Sequence, residues 1–442
     1  MAPVLLAAGC SQLVDAEQAR LCRVVIPALN PEGSTIAIQR TALADDARTL
    51  RIVYRVRPPG QPERTRFLAC SFSGEALGQG RPSLAAVRTD QGPLSEPALV
   101  FLRRYLDDPS AVLEDPGDPA AAGQVATAPR GVALAAQSVL NALPQVGVYG
   151  LLAAAYSLVY GLVGRIVFGF GEFAGIAGYA SLLGLAVAVQ VGVHATLPGL
   201  AVGAVVALFA ALFHGVVSGR LVVSPLVRQA SGENAGLPVL IATTGLMILL
   251  AEYQRLTQGS DLHWLPPVLN NPVSLLRGGD FVVTVTPVAM LSAGLALVTA
   301  LATLALIRFT GFGRQWRALA DDARTASLFG VDRDRIFALT YALAAGLAGL
   351  AGFLVTTHYG VVGYSYGLTL GLKALVAAVV GGIGSVAGAF AGGVVIGVAE
   401  AVWSATMPIE SRDIAIYALL SIMLALRPGG LFGYRDLLPR RV

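Results

Sequence analysis

Residues able to do chemistry are few in this chain, and they stand far apart. Its one lysine, Lys373, follows Leu372 inside an apolar run. A nucleotide-binding loop needs Gly-Lys-Ser/Thr so that the lysine reaches the β- and γ-phosphates. No such loop exists here, and the scarcity of lysine also argues against a Schiff-base enzyme. His194, His214, His263 and His358 are isolated, without clustered cysteines or carboxylates that would make a metal site. Gly80 to Pro82 and Gly278-Gly279 read as turns and not as phosphate cradles. What remains is a set of ionisable residues embedded in long apolar segments: Glu172, Glu252, Lys373 and Glu400, with His214 near a segment end. Charges are costly in such segments, so each is a functional candidate. Glu172 comes first, because Gly169 and Gly171 before it let the backbone approach a solute pathway or a neighbouring helix. A structural pairing with that helix is the competing reading. Glu252 and Arg255 lie three apart on one helical face, as a local ion pair would.

The elements that must position these residues are membrane spans. Hydrophobic residues make up 55% of the 442 and charged residues 13%, against about a quarter charged in an ordinary soluble protein. The net charge of +4 comes from arginines scattered singly, without the aromatic-interleaved stripe of a nucleic-acid surface. From Gln137 onward, segments near 143–163, 170–190, 196–218, 237–254, 283–307, 336–356, 371–383, 386–404 and 412–426 are apolar, and about 20 such residues cross a bilayer. Arg165 follows the first, Arg220 and Arg228 the third, and Arg314, Arg317, Arg324, Arg333 and Arg335 the fifth. Cytoplasmic loops hold the excess of Lys and Arg, so odd spans run inward. The N-terminal region is then periplasmic and the tail with Arg427, Arg435, Arg440 and Arg441 cytoplasmic. Parity requires the Gly381-Gly382-Ile383-Gly384-Ser385 break to separate two passes or a re-entrant pair. Lys373 then snorkels toward the periplasmic interface or lines a path. Glycines at 346, 349, 352, 388, 392, 393 and 397 predict close helix packing.

The first part of the chain is more polar. Residues 1–11 carry a short apolar run ending in Gly9-Cys10-Ser11, similar to a lipoprotein processing site, which makes Cys10 a lipidation candidate or else an ordinary small residue. Residues 12–106 read as a small α+β domain: strands at Thr35 to Ile38 and Leu50 to Val56, a return strand at Arg66 to Phe72 after Pro58-Pro59-Gly60, and a helix at Ala98 to Leu106. Cys22 and Cys70 form one disulfide if the domain lies in the periplasm, and are two buried thiols otherwise. Residues 107–133 read as a linker, 134–435 as the membrane domain and 436–442 as the tail.

Four motifs then occur in one order: Val167-Phe168-Gly169-Phe170-Gly171-Glu172-Phe173, Ile241-Ala242-Thr243-Thr244-Gly245-Leu246, Gly371-Leu372-Lys373-Ala374 leading to Gly381-Gly382-Ile383-Gly384-Ser385, and Arg427-Pro428-Gly429-Gly430-Leu431-Phe432-Gly433. Over roughly residues 135 to 435 the chain resembles the LivH-type permeases of the high-affinity branched-chain amino acid importers. Phe170 departs from the histidine usual in that family, and the N-terminal extension is shared with its urea-type members. The resemblance implies an all-α polytopic membrane protein of about eight or nine transmembrane or re-entrant helices, here carrying a small α+β extramembrane domain. It also makes Gly169, Gly171, Glu172, Thr243 and Lys373 translocation-path candidates. The segment Arg317 to Val331, acidic near its start and closed by Gly330, looks like a coupling helix, with Arg317, Asp321, Asp322, Ala323, Ala326 and Gly330 as the residues for ATPase contact.

By the same resemblance the protein sits in a bacterial inner membrane and is not itself an enzyme. Its implied partners are two cytoplasmic ATPase subunits holding ATP and magnesium, a periplasmic solute-binding protein, membrane lipid, and a second permease that is either LivM-like or another copy. An ion-coupled secondary transporter using midplane carboxylates such as Glu172 and Glu400 is the alternative from another class. A membrane-embedded enzyme would need a nucleophile, base or metal constellation, and none is legible.

Overall fold

The structure, a computed structural model, describes residues 16–432 apart from 32, 44–48, 61, 74–82, 91, 107–115, 117–125, 194–195, 230–235, 266–267, 270–271, 279–280 and 409–410. Cys10, most of the 107–133 linker and the 436–442 tail lie outside the described residues. The chain divides into two compact units, one drawn from Met1–Gln137, Ala188–Leu200 and His263–Val288 and the other from Ser138–Val187, Ala201–Leu262 and Ala289–Val442.

In the first unit, α1 (Ala16–Ala28) precedes β1 (Thr35–Leu43), β2 (Thr49–Arg57), β3 (Arg64–Ser73), β4 (Ser83–Thr89), β5 (Gly92–Pro93) and α2 (Glu96–Leu106). The strands form one antiparallel sheet in sequence order. The β2–β3 hairpin pairs Thr49 with Ser71 and Val56 with Arg64. Strict alternation buries Leu50, Ile52, Tyr54 and Val56 on one face of β2, the period-two signature of a half-covered sheet. Ile26 of α1 and Leu102 of α2 join that core. Cys22 of α1 and Cys70 of β3 form a disulfide with Cα atoms 6.0 Å apart, which fastens helix to sheet. The unit has two helices where the sequence reading had one. The buried positions Ala19, Cys22, Val25 and Ile26 recur at helical spacing, a signal masked by Pro27 at the helix end.

The same unit holds a hairpin of Val273–Gly278 with Phe281–Val285, which moves the start of the span read at 283–307 to Pro287. Val282, Val283, Thr284 and Val285 are β-branched and favour a pleated strand. The helix starts afterwards, at Pro287, whose fixed φ suits a first helical turn.

The membrane region contains α3 (Arg130–Val163), α4 (Phe170–Gln190), α5 (Thr196–Ser218), α6 (Ser224–Gln229), α7 (Gly236–Gln258), α8 (Pro287–Phe309), α9 (Gly311–Asp321), α10 (Ala323–Leu328), α11 (Arg333–Tyr359), α12 (Tyr366–Gly381), α13 (Val386–Thr406) and α14 (Arg412–Leu426). Among the described residues seven helices are long and apolar enough to cross a membrane, and α12 is a shorter apolar helix. A π turn at Gly219–Val223 joins α5 to α6.

Small residues set the packing of the second unit. A side chain at Gly349 would meet Ala211, and one at Gly352 would run into the backbone of Ala174. The break after α12 is a tight turn with Gly382 at φ 105° and Gly384 at φ 95°, after which the Ser385 side chain caps α13 by accepting from the Gly388 N–H at 3.1 Å. Leu431 N–H and Phe432 N–H donate to the carbonyls of Val380 and Gly381, each at 2.9 Å. The Arg427-to-Phe432 motif thus satisfies carbonyls at the end of α12 that have no partner within the helix.

Candidate functional site

Gly169, at φ 114°, turns the chain into α4. Glu172 therefore falls in the first turn of that helix, where the exposed N–H ends favour a negative charge. Gly171 lies against α12 main chain to main chain: a Cβ there would strike the carbonyl oxygen of Gly367 and stand 2.6 Å from the Cα of Gly371. This contact carries Glu172 into the interior, where it is 1% exposed. Its Oε2 accepts from Gln254 Nε2 of α7 at 2.7 Å. Among the described residues, Glu172 Oε1 and Gln254 Oε1 have no hydrogen-bond partner. The cavity beside them, lined by Tyr156, Gly169, Glu172, Met247 and Gly367, measures about 10 Å³, room for one water at most. This cavity is too small to hold an amino acid.

The path candidates divide into three places. Gly169, Gly171 and Glu172 share this cavity. Thr243, buried in α7, spends its hydroxyl on the carbonyl of Val239 at 2.8 Å in its own helix. Lys373 is 4% exposed, and carboxylates enclose its head: Nζ stands 2.6 Å from Asp413 Oδ1 and 3.1 Å from Glu400 Oε1. Arg412 Nε is 2.9 Å from the same Glu400 oxygen, and Tyr149 donates its hydroxyl to Glu400 Oε2 at 2.5 Å. This cluster ties α12, α13, α14 and α3 together. The Glu252–Arg255 ion pair of the sequence reading forms on the exposed side of α7.

The segment read as one coupling helix is two. Asp322, with φ −147° and ψ 102°, ends α9 and caps α10 by accepting from Arg324 N–H at 2.9 Å and Thr325 N–H at 3.1 Å. The Thr325 hydroxyl, followed by the Thr325 N–H, holds the Asp322 carboxyl below the usual carboxylate range. An extended residue breaks the helical ladder, which run-length reading of 317–331 overlooks. Trp316 anchors α9 inside the unit, donating Nε1–H to the Leu158 carbonyl at 3.2 Å and lying flush on Gly161. The end of α10 is a Schellman closure, with Val331 N–H on the Ala326 carbonyl at 3.2 Å, Gly330 N–H on Ser327 at 3.1 Å, and Gly330 at φ 84°. Arg317, Asp321, Asp322 and Gly330 are exposed, Ala323 is half-buried, and Ala326 is buried, so Ala326 seats the helix. The sequence reading missed the tip. Leu328 and Phe329 are 84% and 85% exposed, two large apolar side chains in a charged loop whose exposure is set by the turn at Gly330 and not by the residues around them in sequence.

Residues 138–424 match the family described as branched-chain amino acid transport system / permease component. The chain belongs to that family. The permease is 36% identical over 300 residues to the high-affinity branched-chain amino acid transport system permease protein LivH of Salmonella typhimurium, covering 67% of this chain and 95% of the relative. The same figures hold for LivH of Escherichia coli K12. Identity to the high-affinity branched-chain amino acid transport system permease protein BraD of Pseudomonas aeruginosa is 32% over an equal length. No solved structure matches the permease. The matched region begins within α3, and the strands and helices before it lie outside it.

Proposed function

We propose that the permease forms the translocation path of an ATP-driven importer for branched-chain amino acids or related small polar solutes, with ATP and magnesium held by two separate ATPase subunits. The observation that carries this reading is the exposed Leu328-Phe329 tip on a helix pair capped at Asp322 and closed at Gly330. An apolar tip on a rigidly seated cytoplasmic element is what docking into a partner's cleft requires. A periplasmic binding protein delivers the solute, and a second permease, LivM-like or another copy, completes the path. Low burial of the apolar helices α5 with α6, α7 and α8, with 28%, 28% and 22% of their spans covered, leaves wide faces for lipid and for that second subunit. The arginine distribution supports an inner-membrane orientation with α9 and α10 cytoplasmic, and the disulfide supports a periplasmic N-terminal domain.

The test is uptake of radiolabelled leucine into proteoliposomes containing this chain, its partner permease, the ATPase chains and the binding protein. Uptake is expected only with ATP hydrolysis. Uptake driven by a proton or sodium gradient without ATP would refute the assignment, and ATP-dependent uptake of urea or short amides in place of leucine would move the solute while keeping the mechanism.

A further inference from the structure

Apart from Glu172 and the Lys373 cluster, the second unit holds a larger cavity of about 630 Å³ where α5, the π turn and α6 meet the start of α11. The π turn makes it. Its extra residue per turn shifts Arg220 and Leu221 out of helical register, while Gly219 lets the ring of Tyr341 close the inner wall, since a Cβ there would stand 2.7 Å from that ring. Phe337 and Val216 complete an apolar interior.

The rim has the opposite character. Arg220, Arg228 and Arg335 line it with a single carboxylate, Asp334. Asp334 is committed to Arg228, with Nη2 to Oδ2 at 2.8 Å and Nε to Oδ1 at 3.0 Å. Among the described residues, neither the Arg220 nor the Arg335 guanidinium has a hydrogen bond or ion pair, so two positive charges face the mouth uncompensated. Beside the rim, Val217 and Leu221 are 39% and 73% exposed and Leu339 is 46% exposed. The cavity therefore opens next to a lipid-facing surface.

We propose that this cavity binds a phosphate group, carried on the headgroup of an anionic phospholipid from the adjacent leaflet. Guanidinium forks match phosphate oxygens in pairs, and basic pockets between helices at a membrane surface suit such headgroups. The apolar wall accepts the glycerol and the first methylenes, which a free anion would leave uncovered. Lipid held here would brace α6 against α11, next to the helices that carry the coupling element.

The purified full-length permease in a mild detergent tests the assignment through its thermal midpoint, titrated with phosphatidylglycerol, with phosphatidylcholine, or with inorganic phosphate in phosphatidylcholine. Phosphatidylglycerol is expected to raise the midpoint at concentrations at least tenfold below those at which phosphatidylcholine acts. The Arg220→Gln, Arg335→Gln double variant is expected to lose that preference, while the Lys pair at the same positions keeps most of it. Arg165→Gln, at an exposed loop outside the cavity, should leave it unchanged. Inorganic phosphate producing the same arginine-dependent shift would keep the phosphate site and assign it a soluble ligand. An equal phosphatidylglycerol response in wild type and double Gln variant, or equal responses to both lipids in the wild type, would overturn the proposal.

Discussion

Glu172 and Gln254 share one hydrogen bond of 2.7 Å in the interior, and each keeps an oxygen without a partner among the described residues. A buried pair so sparsely satisfied depends heavily on its one bond, because low dielectric magnifies both the interaction and the cost of losing it.

Gln254→Leu is therefore expected to lower stability by about 1–3 kcal/mol, the penalty for stranding a buried polar group. Glu172→Leu with Gln254→Leu is expected to cost less than the sum of the two single changes. Thermal unfolding of the four proteins in detergent measures the difference, and strictly additive losses would mean that the two residues do not act as a pair.

Lys373 anchors the second buried cluster. Removing one partner of a buried ion pair costs about 3–5 kcal/mol, and Lys373→Met should approach the low end because Arg412 still reaches Glu400. Adding Glu400→Gln is expected to recover part of the loss. If the Lys373→Met midpoint matched wild type, the cluster would be unimportant to the packing of α12 through α14.

Leu328→Ser with Phe329→Ser should leave insertion and thermal midpoint unchanged, since both side chains project from the surface. ATPase stimulation by the permease is expected to fall at least tenfold, as about 1.4 kcal/mol of lost binding gives each factor of ten. Undiminished stimulation and transport would place the ATPase contact elsewhere.

The Asp322 cap gives a pH dependence of known sign. Its folded value is lowered, so its contribution is full above the ordinary carboxylate range and is lost only as pH falls through the lowered value. Hydrogen exchange at the Thr325 amide should therefore show constant protection between pH 5 and 8, and weaken only in stronger acid. Asp322→Ala is expected to remove that protection across the whole range.

Cys22→Ser with Cys70→Ser is expected to destabilise the N-terminal unit by about 2–4 kcal/mol, the usual contribution of a bridge that closes a long loop. Limited proteolysis with and without reductant follows it. Equal resistance in both conditions would show that the sheet and its two helices hold without the bridge.

Much of this was legible because membrane spans announce themselves by length. The windows at 170–190 and 386–404 match α4 and α13 closely. The burial of Glu172 was legible too, since a carboxylate after Gly-x-Gly in an apolar run either lines a path or pairs with a neighbouring helix. Its partner was not, because Gln254 lies 82 residues away and nothing local marks it. The Lys373 cluster failed for the same reason: Glu400, Arg412 and Asp413 approach only after α12 and α13 fold back at Gly382. Composition found the span near 283–307 as α8 but began it too early, because Val283 to Val285, as apolar as a span, close a strand before Pro287.

The glycines around α12 have a mechanical consequence. Gly171 against Gly367, Gly381 against Gly388 and Gly392 against the Ala377 carbonyl bring main chain onto main chain on two sides of that helix. Where side chains interleave, rotamers yield; where backbones touch there is no rotamer to yield, so a single added methyl group at Gly171, Gly381 or Gly392 would wedge α4 or α13 away from α12.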